Sequence, residues 1–248
     1  MAHEIPTAEE CTTVASNLEA IMERIRRATD EAEKGPYFRD RRPELVAVSK
    51  TKHPLLVEVC YKAGQRVFGE NYIQELEEKS SALANSCAEI QWHYIGQIQS
   101  NKIKKFSQIK NLSCVETLAK EAHALALNKE IEKAGRKLKV MVQVNTSNEE
   151  QKGGLSSSKA LELAHLITES CHALEFRGFM TIGSFEVSIG EGLNEEFEKL
   201  FSVHHNIKES TLDLSMGMSH DFETAIKQGS TSVRVGSLIF GARNYGGI

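Results

Sequence analysis

The sequence has few cysteines, and they lie far apart from one another. The five cysteines form no C-x-x-C pair and are odd in number: Cys11, Cys60, Cys87, Cys114 and Cys171. Disulfide frameworks and zinc sites need paired or clustered ligands, so we expect neither. The nine histidines form no H-E-x-x-H motif, which also argues against a metal site. Free thiols of this kind are typical of a reducing compartment.

Long apolar runs, an excess of basic residues and a targeting segment are absent as well. No apolar run approaches the roughly 20 residues of a membrane-spanning helix. The chain has 30 Lys and Arg against 34 Asp and Glu, a net charge of -4 that does not favour nucleic-acid binding. The first ten residues carry three glutamates and no Lys or Arg, unlike a secretory signal or a mitochondrial presequence. We expect a cytoplasmic protein without membrane or nucleic-acid partners.

What the sequence does contain is a regular alternation of strands and helices. A helix is predicted over residues 8–33, because apolar residues recur there at helical spacing. Eight β-rich runs follow, several of them continuously apolar, as strands buried on both faces are. These runs cover residues 44–49, 66–70, 91–96, 112–116, 139–145, 174–181, 212–217 and 232–235. Helices are predicted between them at 55–63, 73–84, 101–106, 118–134, 157–170, 195–207 and 221–228.

Eight strand–helix units within about 200 residues predict a (β/α)8 TIM barrel. A doubly wound open sheet is the alternative, but it would usually show a glycine-rich first turn. Here the turn after the first strand reads Ser49-Lys50-Thr51-Lys52. We find no repeat and no linker, so residues 1–248 are expected to form one domain with an extra N-terminal helix.

The carboxyl ends of the strands are where such barrels build their sites, and Lys50 stands out there. It directly continues an apolar strand, where partial burial would lower the pKa of its amine. A neutral amine can attack an aldehyde to form a Schiff base. The alternative is a lysine that reaches solvent from the end of a strand.

The ends of strands 7 and 8 predict an anion site. Ser219 is a candidate N-cap for the helix that follows, and Gly236-Ser237 opens another short helix. Helix N-termini after these two strands often bind phosphate, although ordinary capping explains the serines too. Arg234 lies on strand 8 between valines and needs an acceptor. That acceptor is either a barrel carboxylate such as Glu70 or a ligand's ring nitrogen or phosphate.

Several short motifs at these strand ends resemble one family closely. The chain is similar to the pyridoxal phosphate homeostasis proteins, single barrels related to the N-terminal domain of alanine racemase, a fold-type III pyridoxal-phosphate architecture. The resemblance runs from about Glu44 to Arg243. Its motifs are VAVSKTK (46–52), FGENY (68–72), WHYIG (92–96), GFMTIG (178–183), LSMGMS (214–219) and VRVGS (233–237).

The resemblance implies a role for each matching residue. Lys50 would carry pyridoxal 5'-phosphate as a Schiff base, and Arg234 would face the pyridine nitrogen. The phosphate would be held by Ser219, Gly236 and Ser237, and the ring pocket would be lined by Asn71 and Met180. The family's usual SKTKP reads SKTKH here, with the proline one place later at Pro54, which puts the backbone of the first loop in question.

Two functions from different classes then remain open. The first is a cofactor-binding protein that takes part in intracellular pyridoxal phosphate homeostasis, buffering the cofactor or delivering it to apo-enzymes. The second is a fold-type III racemase or decarboxylase. Arg234 cannot accept a proton, and a chain ending at Ile248 would have no second domain to supply a base on the opposite ring face. We expect a carrier, monomeric and without catalytic residues; an aldolase that uses Lys50 without cofactor is a third reading.

Overall fold

The strands of the protein close into a parallel barrel. The computed structural model describes residues 5–184, 192–207 and 211–242. Eight strands are hydrogen-bonded in chain order, and the last pairs with the first. Their bounds are β1 Glu44–Val48, β2 Val67–Glu70, β3 Gln91–Tyr94, β4 Leu112–Leu118, β5 Leu138–Gln143, β6 Leu174–Met180, β7 Asp213–Ser215 and β8 Ser232–Val235. This closed ring confirms the predicted barrel and excludes the open doubly wound sheet.

Helices surround the barrel and follow the strands. They are α1 Ala8–Ala32, α2 Pro54–Lys62, α3 Ile73–Ala82, α4 Ile103–Phe106, α5 Glu121–Lys133, α6 Ser157–Ser170, α7 Glu195–His205, α8 Phe222–Lys227 and α9 Ser237–Phe240. Short 3-10 turns occupy Ser100–Lys102 and Glu150–Lys152. Across these described elements, none of the helices is long and apolar enough to cross a membrane.

The N-terminal helix α1 is an addition that packs on the outside of the barrel. It starts with a reciprocal cap, in which Thr7 accepts from the Glu10 amide and Glu10 accepts from the Thr7 amide. Its buried face contacts α2, α8 and α9. Arg24 forms an ion pair with Glu223 at 2.7 Å and Asn17 donates to the Ile239 carbonyl at 3.1 Å. The predicted helix over 8–33 is therefore confirmed, and it covers the helices that follow β7 and β8.

Two predicted boundaries were wrong, one because of a strand pairing and the other because of a local hydrogen bond. β4 continues to Leu118, which pairs with Val142 of β5, so α5 begins only at Glu121. Ser219 is not the N-cap of α8; Asp221 occupies that position, and its carboxylate accepts from the Met218 amide at 2.6 Å. Ser219 thus lies in the loop before the cap.

Candidate functional site

The candidate site lies at the carboxyl ends of the barrel strands. All seven residues predicted to bind a cofactor are at or just beyond the ends of β1, β2, β6, β7 and β8: Lys50, Asn71, Met180, Ser219, Arg234, Gly236 and Ser237. Because the strands are parallel, these ends share one mouth of the barrel. The fold brings them to one end, whereas their individual roles stay predictions.

Lys50 lies in a tight turn that the surrounding structure holds on both sides. Ser49, before it, is buried and donates to Glu70 at 2.6 Å. Thr51, after it, has a φ of 62°, a left-handed conformation that costs energy for a β-branched residue. The Thr51 amide donates to Glu75 at 2.6 Å. These hydrogen bonds on both sides therefore fix the backbone conformation around Lys50.

A buried ion cluster beneath this turn supplies those contacts. The Lys79 ammonium, 2% exposed, donates to the Ser49 carbonyl at 2.6 Å and to Glu70 and Glu75 at 2.7 Å each. Burial raises the pKa of Glu70 to about 7, against the attraction of Lys79. Lys79 thus uses its three donors to join β1, β2 and α3 under Lys50.

The departure from the family motif at position 53 falls at the start of α2. His53 is the N-cap of α2, and its Nδ1 accepts from the Leu55 amide at 3.0 Å. Pro54 takes the first helical position, where proline is favoured because its missing N–H is not needed. Histidine and the shifted proline together start the helix.

On the opposite side of the mouth, Arg234 is wholly buried in a hydrogen-bonded network. Its Nη1 donates to the Ser215 hydroxyl at 2.5 Å, and its Nη2 donates to the Thr181 carbonyl at 2.7 Å. The predicted alternative of a salt bridge to Glu70 is wrong, because Glu70 pairs with Lys79. The counter-charge nearest to Arg234 in this network is Glu116, which accepts from Ser215 at 2.6 Å.

Glu116 is a fully buried carboxylate with partners on both oxygens. His93 lies 2.6 Å from one oxygen and Ser215 from the other. Burial opposes ionisation, yet the hydrogen bonds and the charges of His93 and Arg234 leave the pKa of Glu116 below its ordinary value. Glu116 is therefore ionised at neutral pH, and His93, expected to be a hydrogen-bonded histidine, is one.

The loops after β7 and β8 meet at the candidate anion site. The Gly236 amide points at the Ser219 hydroxyl, with 3.4 Å between nitrogen and oxygen. The Arg234 amide donates to the Gly217 carbonyl at 3.0 Å, which joins β8 to the loop after β7. A Cβ at Gly236 would lie 3.2 Å from the Val48 carbonyl, so the β8 loop runs close against β1. Ser237 follows and is exposed.

Asn71 and Met180 differ in their surroundings. The Asn71 side-chain oxygen is buried and has no hydrogen-bond partner, which is unusual for a buried polar atom. Its backbone packs so closely on Gly96 that a Cβ there would lie 1.9 Å from the Asn71 carbonyl oxygen. Met180, 1% exposed, packs with Cys114 and Met141 inside the barrel. An unsatisfied oxygen on Asn71 fits a ligand that carries a donor.

Three residues of the buried networks beside the candidate site were not predicted from the sequence. Signals for them exist in the sequence. Glu116 and Ser215 are polar residues inside apolar strands, and Lys79 follows Glu75 at the i,i+4 spacing of a helical ion pair. Nothing in the sequence shows that Glu116 of β4 reaches Ser215 of β7 across the barrel. That contact depends on closure of the barrel.

Chemically, the mouth combines an amine, a candidate anion site and a buried guanidinium. An amine condenses with aldehydes, paired amide and hydroxyl groups hold phosphate, and a guanidinium donates to an acceptor such as a ring nitrogen. This set fits a small phosphorylated aldehyde with an acceptor nitrogen.

Comparison with known proteins places the chain among pyridoxal-phosphate barrels. The family model for the alanine racemase N-terminal domain matches residues 16–244. The pyridoxal phosphate homeostasis protein of Caenorhabditis elegans is 54% identical over 214 residues, which are 83% of this chain and 88% of that protein.

Solved structures agree with this placement. PipY of Synechococcus elongatus PCC7942, solved with PLP bound, is 26% identical with a TM-score of 0.72, and the match covers 92% of this chain and all of PipY. Alanine racemase from E. faecalis shares the fold, with a TM-score of 0.69 at 15% identity. That match covers 94% of this chain but 59% of the racemase.

Proposed function

Because the chain belongs to the pyridoxal phosphate homeostasis protein family, we propose that it binds pyridoxal 5'-phosphate and buffers it or delivers it to apo-enzymes. The observation that carries the proposal is the mouth of the barrel. There a lysine on a fixed turn lies at the same end as the Gly236 amide, the Ser219 hydroxyl and a buried guanidinium.

Lys50 would supply the amine that condenses with the cofactor's aldehyde, with loss of water. Its turn is held by Thr51 and Ser49, which bond to Glu75 and Glu70, so the amine starts from a fixed backbone. Ser219, Gly236 and Ser237 would hold the phosphate, and the unsatisfied oxygen of Asn71 would accept from the cofactor. Met180 would line the ring pocket. The cofactor would supply an electrophilic carbonyl and, if protonated at its ring nitrogen, an electron sink.

Arg234 would weaken the electron sink that amino-acid chemistry on the cofactor needs. A guanidinium donates hydrogen bonds but does not take up or give away a proton, so at the pyridine nitrogen it would leave that nitrogen unprotonated and the electron sink weak. The relatives named above are homeostasis proteins, whereas likeness to the racemase extends to the fold. We propose a protein without substantial amino-acid turnover, acting as one cytoplasmic, monomeric barrel over residues 1–248.

The binding proposal is tested by titrating cofactor-free protein with pyridoxal phosphate and with pyridoxal, which has no phosphate, and following the visible absorption band. Wild type should prefer the phosphorylated form strongly. The double variant with Ser219→Ala and Ser237→Ala should bind pyridoxal phosphate about ten- to a thousandfold more weakly and bind pyridoxal as before. An unchanged preference in the double variant would remove the phosphate site from the proposal.

The carrier proposal has its own test. Loaded protein should restore activity to a pyridoxal-phosphate apo-enzyme, yet show no substantial racemisation or decarboxylation across a panel of L- and D-amino acids. Turnover of about 1 per second or faster, an ordinary enzyme rate, would favour the racemase or decarboxylase instead.

A further inference from the structure

A chain of hydrogen bonds crosses the interior of the barrel and ends on Arg234. It runs from His93 on β3 to Glu116 on β4, then to Ser215 on β7 and Arg234 on β8. Each link is 2.5–2.6 Å between heavy atoms, and all four residues are buried. The chain connects side chains from four different strands.

The direction of each hydrogen bond follows from the chemistry. Glu116 is ionised, since its pKa lies below the ordinary value, and an ionised carboxylate only accepts. His93 Nδ1 and the Ser215 hydroxyl must therefore both donate to it. Ser215 in turn accepts from the Arg234 guanidinium. Every donor faces an acceptor, so the network has a single consistent arrangement.

This network fixes the guanidinium in place and balances its charge. Burial disfavours the charged form of Arg234, which lowers its pKa, and attraction by Glu116 and more weakly by Asp221 opposes this. The bonds to Ser215 and Thr181 account for two of the five N–H donors, so others remain to meet a ligand. Because Ser215 and Thr181 hold the guanidinium, its orientation at the mouth is fixed before a ligand binds.

The far end of the network lies at the opposite mouth of the barrel. His93 lines a cavity of about 240 Å³ that is also lined by Glu44, Asp213 and Ser232, the first residues of β1, β7 and β8. The candidate cofactor site is at the carboxyl ends of the strands. The network thus begins at His93, at the end of the barrel away from that site, and leads through Glu116 and Ser215 to Arg234.

We propose that His93, Glu116 and Ser215 are positioning residues, which orient Arg234 toward the ring nitrogen of the bound cofactor and thereby set the electronic state of the ring. The proposal rests on the proposed function and extends it to residues that contact no cofactor. The cofactor's absorption band reports that state directly, without any turnover.

The test is a double-mutant cycle on reconstituted protein, with Glu116→Gln and Ser215→Ala made in the wild-type and in the Arg234→Gln background. In the wild-type background each should shift the visible absorption band and weaken cofactor binding about three- to thirtyfold. In the Arg234→Gln background neither should add a further shift. Ser113→Ala is the control, because Ser113 lines the same cavity but donates to the Trp92 carbonyl; its band should match wild type.

The outcomes separate this inference from the proposed function. Where wild type binds the cofactor but Glu116→Gln leaves band and affinity unchanged, or shifts them equally in both backgrounds, the positioning role is overturned and the proposed function stands. A wild-type protein without any cofactor band overturns both. If Glu116→Gln fails to fold, Ser215→Ala and His93→Gln carry the same test, with circular dichroism confirming that each is folded.

Discussion

Glu70 and Glu116 are two wholly buried carboxylates in the same barrel, yet their pKa values are shifted in opposite directions from the ordinary value. Burial raises the pKa of Glu70 to about 7, whereas the pKa of Glu116 lies below its ordinary value despite equal burial. Both Glu116 oxygens have partners, and Arg234 adds a positive charge. Glu70 has one oxygen without a partner, and its cation is shared with Glu75.

The contrast shows that burial alone does not decide the charge of a group. What decides it is how many donors and charges the folded chain places around each oxygen. The Lys79 ammonium donates to three acceptors and so holds the Lys50 turn. Ser215 and His93 instead both donate to the Glu116 carboxylate, and the charge of Arg234 adds to their effect. In the first region the buried ion cluster holds the Lys50 turn, and the pKa of its acid, Glu70, is close to neutral pH. In the second region the acid, Glu116, is ionised and held by hydrogen bonds.

The largest expected effect comes from removing each carboxylate outright. Glu116→Leu should lower the free energy of unfolding by about 3–5 kcal/mol, because it leaves the buried Arg234 guanidinium without its main counter-charge. Glu70→Leu should cost clearly less, since Glu75 still pairs with Lys79. Urea denaturation of both variants measures the difference. Equal losses of unfolding free energy in the two variants would contradict the difference between the two regions.

The next prediction uses pH, because the two acids should respond with opposite sign. The pKa of Glu70 is about 7 in the folded protein against an ordinary 4.5, so its contribution to stability is full at low pH and is lost as pH rises through that range. Glu70→Gln has no ionisable group at this position, so its stability should not fall in this way as pH rises. Relative to wild type, it should gain up to about 3 kcal/mol in unfolding free energy between pH 4.5 and 7.5.

For Glu116 the sign reverses. Its lowered pKa gives wild type a stabilisation that is present above pH 4.5 and is lost as pH falls through the folded pKa. Glu116→Gln should therefore lose stability relative to wild type as pH is raised through the folded pKa to about 4.5, and the deficit should stay constant above that pH. Denaturation curves of both glutamine variants across pH 3 to 8 check the pair. Parallel pH slopes would contradict the account.

The smallest effect is expected at the two serines that donate to these acids. Ser215→Ala removes a bridge between two buried charged groups and should cost about 1–3 kcal/mol. Ser49→Ala removes one of two donors to a Glu70 oxygen that Lys79 still contacts, and should cost about 1 kcal/mol. Thermal or urea unfolding resolves the order; a larger loss at Ser49 would reverse the comparison.

The barrel could be predicted from sequence because its signals are local. Continuous apolar runs such as Leu45–Val48 and their regular spacing indicate buried parallel strands, and the capped α1 helix is equally local. The end of β4 was misplaced because Leu118 pairs with Val142 of the neighbouring strand, whereas the cap of α8 was misplaced because Asp221, two residues after Ser219, occupies it. The motifs located Lys50 and Arg234, but the partners of Arg234 are Ser215 of β7 and Thr181 just after β6, with Glu116 of β4 behind Ser215, and these contacts follow from closure of the ring. Sequence spacing does not encode those distances.

The central claim, that Lys50 holds pyridoxal phosphate at this mouth, is tested most directly by borohydride reduction of the loaded protein followed by peptide mapping. Wild type should carry the reduced cofactor on Lys50, and Lys50→Ala should carry none. The nearby lysines serve as internal controls: Lys52 donates to the Ala242 carbonyl and Lys152 to the Gly183 carbonyl. A label that maps to Lys52 or Lys152 in wild type, or that persists at full yield in Lys50→Ala, would contradict the account.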